Sequence, residues 1–91
     1  MELKLTYLKK AKRFIDKNFI KESEIDSLVI KAVKKKVFNI DENIDIKDLK
    51  GILKGKIRIR KGKIRIIIEI INNEVIIEAI IENIDFRGNI Y

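Results

Sequence analysis

Ninety-one residues suffice for one domain with a single modest core, and 46% hydrophobic with 38% charged residues describes a globular chain, not a disordered one. Without cysteine there is no disulfide, thiolate metal site or cysteine nucleophile, and without histidine the usual general base and commonest metal ligand are missing. The formal charge of +7 favours an anionic partner.

Glu2 to Tyr7 alternates Leu3, Leu5 and Tyr7 against Lys4 and Thr6, the pattern of a short half-buried strand. From Leu8 the period becomes helical: Leu8, Ala11, Phe14, Ile15 and Phe19 share a face, with Lys9, Lys10, Lys12, Arg13 and Lys17 opposite. A break over residues 18–22 precedes a second amphipathic helix on Ile25, Leu28, Val29, Ala32, Val33 and Val37. Ser23 is its expected N-cap and Asp26 the capping-box partner. Lys34, Lys35 and Lys36 fall in its last turns, where cations suit the helix dipole, and Asn39 can close it. The stretch "NIDENIDIKDLKGILKG" reads as a connection with one helical turn near Asp48, its end framed by Gly51 and Gly55. Three strands follow, at about 56–61, 63–71 and 74–84, joined by two-residue turns at Lys61-Gly62 and Asn72-Asn73. The order is β-α-α-β-β-β, an α+β fold with a helical hairpin packed on one face of a small antiparallel sheet, and residues 1–91 form one domain. No apolar run approaches the roughly 18 residues of a membrane span. The opening "MELKLTYLKK" lacks an apolar signal core, so a soluble cytoplasmic protein without membrane attachment is expected.

The charge is concentrated. Residues 47–65 hold nine basic residues and one acidic, while residues 66–91 hold one basic and five acidic. With Lys61-Gly62 as the turn, Arg58 lies opposite Arg65, and Ile57, Ile59, Ile64, Ile66, Ile68 and Ile70 turn toward the helices. The other face then carries Lys56, Arg58, Arg60, Lys63 and Arg65, where like charges oppose one another at a cost. With Asn72-Asn73 as the next loop, Arg65 meets Ile80, Ile67 meets Glu78, and Glu78 and Glu82 are diagonal to Arg65. Lysine on an edge strand is a common guard against aggregation. Yet the chain has 16 lysines and only five arginines, three of which fall between positions 58 and 65 on this one face. Arginine offers a planar fork suited to phosphate, so this face points to phosphate or nucleic acid.

The segment "LKGILKGKIRIRKGKIRIIIEI" resembles the pattern of the RelE/ParE toxin superfamily: Leu-Lys-Gly, a further Gly, an Arg-x-Arg strand, a Gly turn, then Arg and an apolar strand. The ending "FRGNIY" is similar to that family's Arg-x-x-x-Tyr close, and "LKLTYLKKAKRFIDK" to its opening strand and helix, so the resemblance spans nearly the whole chain. It implies a RelE-like fold and the toxin of a type II toxin–antitoxin pair. It is closer to the RelE-like branch, which cuts mRNA in the ribosomal A site without metal or other cofactor. The alternatives are a ParE-like toxin directed at gyrase, and a non-catalytic RNA- or ribosome-binding relative. The implied partners are an acidic antitoxin, the ribosome and mRNA.

By the same resemblance, Arg65 and Arg87 act at the scissile phosphate and Tyr91 stacks on or orients a base. Lys56, Arg58, Arg60, Lys61 and Lys63 bind flanking RNA phosphates. The chain also departs from its relatives. Where some carry histidine before the C-terminal arginine, this sequence has Phe86, and where others place lysines on the basic strand it has Arg58 and Arg60, which stay charged. The remaining candidates for proton transfer are Lys56, Lys61, Lys63, Tyr91, Glu78 and Glu82.

Overall fold

Both amphipathic segments fold as helices, and the strands they cover form one five-stranded sheet. The computed structural model describes residues 2–86. In chain order it contains β1 (Glu2–Tyr7), α1 (Lys9–Lys17), α2 (Glu22–Val37), β2 (Asp45–Asp48), β3 (Lys56–Lys61), β4 (Ile64–Asn72) and β5 (Ile76–Phe86). The sheet order is β1-β5-β4-β3-β2. The expected α+β layering with a helical hairpin on one face stands. The sheet is mixed, since β1 joins β5 in parallel while all other pairs are antiparallel. One further strand, β2, forms in the segment read from sequence as connection, and the single helical turn lies just beyond it, a 3-10 turn at Gly51–Leu53.

The core is nearly pure aliphatic. Ile57 and Ile59 of β3, Ile66 and Ile68 of β4, and Ile77, Ala79, Ile81 and Ile84 of β5 are buried against Ala11, Ile15, Ile25, Val29, Ala32 and Val33 of the helices. Each such isoleucine contributes about 2 kcal/mol by leaving water. α1 lies on β5 and α2 on β3. Three polar contacts tie α2 to β1, to β2 and to the residue before β2. The Tyr7 hydroxyl donates to Asp26 Oδ1 at 2.6 Å, joining β1 to α2. At the other end of α2, Lys35 Nζ donates to the Ile44 carbonyl at 3.0 Å and Lys36 pairs with Asp48 at 2.7 Å, which holds β2 to the sheet edge.

The helix ends correct two expectations. α2 starts one residue before Ser23, with Lys21 at its N-cap and no side-chain cap; Asp26 is engaged by Tyr7 instead of the helix N-terminus. α1 ends at Lys17, so Phe19 leaves the apolar face, takes φ 54° and is 94% exposed. Asn39 closes α2 at φ 57°, as its position predicts.

Both hairpins turn elsewhere than the sequence implies. Lys61 pairs with Ile64, so Gly62, at φ 57°, and Lys63 form the first turn. The shift moves every partner by two, which preserves the faces. The second connection runs over residues 73–75, with Glu74 at φ 75°. Asn72 Oδ1 accepts from the Glu74 amide and Asn73 Oδ1 from the Ile76 amide, so these asparagines organise the turn through their side chains. A β-bulge then follows: Ile68 pairs with Ile81 but Ile67 with Asn83, leaving Glu82 as the extra residue.

Candidate nucleic-acid interface

Strand alternation sends isoleucine to the helices and charge to the opposite face, which neither helix covers. On that face β3 places Lys56, Arg58 and Arg60, and β4 places Arg65, Ile67 and Glu69. Arg60, not Arg58, lies directly opposite Arg65, and Arg58 lies opposite Ile67. Arg65 meets Asp85, not Ile80, because the longer turn moves its partner four residues along β5 and the bulge one more. Ile67 meets Asn83, not Glu78, for the same reason. Across four strands one row therefore reads Asp85, Arg65, Arg60, Asp45.

Carboxylates hold much of the basic set. Arg65 donates from Nε to Asp85 Oδ1 at 3.1 Å and from a terminal nitrogen to Oδ2 at 2.8 Å, a fork on both oxygens. Arg58 reaches Asp45 of β2 at 3.0 Å. Its side chain is only 12% exposed, and its Nε is buried without a hydrogen-bond partner among the described residues. A buried donor left unmet is costly, so this nitrogen carries a local penalty. Lys56 pairs with Glu82, and that hydrogen bond raises the ammonium above its ordinary value against a smaller opposing effect of burial. The ion pair with Glu82 thus favours the charged form of Lys56. Glu78, another candidate for proton transfer, accepts from the Thr6 hydroxyl at 2.6 Å.

The remaining candidates lie at the hairpin tip or beyond. Lys61 shares the parity of Ile57 and Ile59, so it stands on the helix side, beside Lys31, Glu24 and Ile64. Lys63 is exposed in the turn. Arg87 and Tyr91 lie outside the described residues. Phe86, in the position where some relatives have histidine, packs edge-on against Phe14 of α1 with centroids 4.9 Å apart. The acids Asp45, Glu82 and Asp85 escaped assignment to these arginine and lysine partners, because each pairing depends on a strand, bulge or turn length that the residue pattern does not specify.

No family model matches the chain, and no curated protein matches it in sequence. Solved structures match along almost its full length. A YoeB/ParE toxin from Agrobacterium tumefaciens is 12% identical, covers 92% of this chain and 98% of its own, and gives a TM-score of 0.67. A copper-bound mutant toxin from Helicobacter pylori is 18% identical over 98% of this chain and 99% of its own, with a TM-score of 0.70. The RelB-RelE antitoxin–toxin complex from Methanococcus jannaschii matches with 23% identity, 94% coverage of each chain and a TM-score of 0.57. The chain has the RelE/ParE toxin fold. At this level the resemblance read from the basic hairpin stands.

Proposed function

We propose that this protein is the toxin of a toxin–antitoxin pair and a ribosome-dependent endonuclease that cuts mRNA in the A site. One observation carries the reading: Arg60 and Arg65, on neighbouring strands, stand directly opposite each other on a sheet face that no helix covers. Cross-strand like charges destabilise a sheet, and a phosphate seated between them reverses the sign of that contribution. The fold, shared with YoeB/ParE and RelE structures, supports the toxin assignment. The pairing of RelE with RelB in the archaeal complex supports an antitoxin partner. For a chain of net charge +7 that partner is acidic, and it shields the same face.

In this reading the 2′-hydroxyl of one nucleotide attacks the adjacent phosphorus, loses its proton, and the 5′-oxygen departs with a proton. Arg65 and Arg87 stabilise the charge that builds on the phosphorane oxygens. Arg58 and Arg60 hold flanking phosphates with the charge of Lys56, and Lys63 marks the edge of that track at the hairpin tip, while Lys61, on the helix side, takes no part in it. Tyr91 stacks on or orients a base. Asp85, Asp45 and Glu82 keep the cations in place until phosphates exchange for them.

The test adds purified protein to translating ribosomes and maps mRNA ends by primer extension, with Arg65→Ala as the control. New ends at the A-site codon that vanish in the variant are expected, a rate loss of about a hundredfold or more for one lost charge at the phosphorane. Intact mRNA under conditions where the protein binds ribosomes overturns the nuclease assignment. Unchanged cleavage by Arg65→Ala overturns the role of that residue.

A further inference from the structure

The sheet face carries most of the paired positive charge, and α1 carries unpaired positive charge. Lys10, Arg13 and Lys17 are all exposed and lie at spacings of three and four, one stripe of the helix. None has an ion-pair partner among the described residues, whereas Lys12, off the stripe, pairs with Glu22. This stripe forms one wall of an open cleft of about 710 Å³, whose other wall is the end of β5, with Asn83 and Asp85. Phe14 and Phe86 meet edge-on in its lining.

We propose that this cleft is a second binding site for single-stranded RNA, in which Lys10, Arg13 and Lys17 hold phosphates and the Phe14–Phe86 pair receives a base. The cations span roughly 10 Å of helix axis, enough to follow a backbone beyond one phosphate. The sole carboxylate among the described residues of the lining, Asp85, has both oxygens occupied by Arg65, so it does not cancel the stripe. The same residue joins the cleft to the sheet face, since it lines the one and pairs with Arg65 on the other. An aromatic floor beneath cations is the arrangement that holds single strands without regard to sequence. It favours RNA over an acidic protein segment, which has no bases to stack. Arg13 adds to the distinction, as one of only five arginines in a chain that otherwise uses lysine.

The inference rests on the RNA-directed reading of the protein but is tested without cleavage. The probe is a labelled uridine dodecamer with 2′-O-methyl groups, which lacks the attacking hydroxyl. The full chain carrying Lys10→Ala, Arg13→Ala and Lys17→Ala is compared with a control carrying Lys21→Ala, Lys31→Ala and Lys50→Ala, which removes the same charge from exposed positions elsewhere. The stripe variant is expected to bind at least tenfold more weakly at 100 mM salt. Its slope of log affinity against log salt should shrink by about 2, the value for three lost phosphate contacts to a single strand. The control should lose less than half as much. Equal losses in both variants, or none in either, overturn the proposal. Unchanged RNA affinity with lost binding of an acidic peptide also overturns it and gives the cleft to a protein partner. Failure of mRNA cleavage on ribosomes leaves this result standing, so the two readings can fail separately.

Discussion

Asp85 holds the Arg65 fork with both oxygens, and in the proposed site it competes with phosphate for that fork. Both side chains are about one-quarter exposed, at 26% and 29%, so the pair contributes only about 0.5–1 kcal/mol after solvent screening. Asp85→Asn keeps the shape and removes the charge. It should lower the unfolding free energy by about that amount and tighten binding of uncleavable RNA about two- to fivefold, by the same energy. Urea unfolding and RNA titration read the two quantities separately, and a stability loss without tighter binding would sink the competition idea. Tyr7 gives a test by pH. Burial first, and then the hydrogen bond to Asp26, push its phenol well above the ordinary 10.0. Above pH 10 the unfolded chain releases this proton while the folded chain keeps it, so the folded state binds more protons and stability falls as pH rises. The slope is at most about 1.4 kcal/mol per pH unit, reduced by the water that reaches the part-buried ring. Lys56 and Lys12, both raised chiefly by their hydrogen bonds to Glu82 and Glu22, act in the same direction at higher pH. Tyr7→Phe should therefore unfold more easily at neutral pH yet show a shallower alkaline decline. A parallel decline in both proteins would remove Tyr7 from that account.

At the level of elements, what the residue pattern carries is periodicity. The stripes of α1 and α2 and the alternation of β3, β4 and β5 were legible because burial repeats every 3.6 or every 2 residues. The basic face was legible for the same reason: moving a turn by one residue shifts partners by two and leaves each side chain on its own face. Partners across strands were not legible. They depend on turn length, and the asparagines of the second turn act through side-chain caps that lengthen it. The bulge at Glu82 adds a further offset, and without it Arg65 would face Ile84 instead of Asp85. β2 was missed because its four residues, Asp45–Asp48, carry one isoleucine and two aspartates, and it is held by pairing with β3 and by lysines of α2. The capping box at Ser23 failed because its partner carboxylate, Asp26, is taken by Tyr7, 19 residues before Asp26. A local capping rule does not see a distant hydroxyl. The roles of Arg87 and Tyr91 rest on the resemblance alone.

For the whole molecule, the uneven charge along the chain becomes a folded pattern. The basic stretch 47–65 and the described part of the acidic stretch, 66–86, lie on neighbouring strands, and Arg65–Asp85 and Lys56–Glu82 tie one to the other. The parallel partnership of β1 with β5 has a different consequence, one of timing. Glu2 waits for Ile76 and Tyr7 for Ile81, and α1 too rests on β5. As a ribosome makes this chain from its N-terminus, the first strand and first helix emerge with nothing to lie upon. Contacts so distant in sequence form late, since a long loop must close before they stabilise anything. Nascent chains arrested before Ile76 should lose residues 2–17 to protease, and chains with β5 clear of the exit tunnel should keep them. Protection of that segment in the shorter chains would contradict this order of assembly. A protein made by the machine it is proposed to attack completes its scaffold only as the last strand leaves that machine.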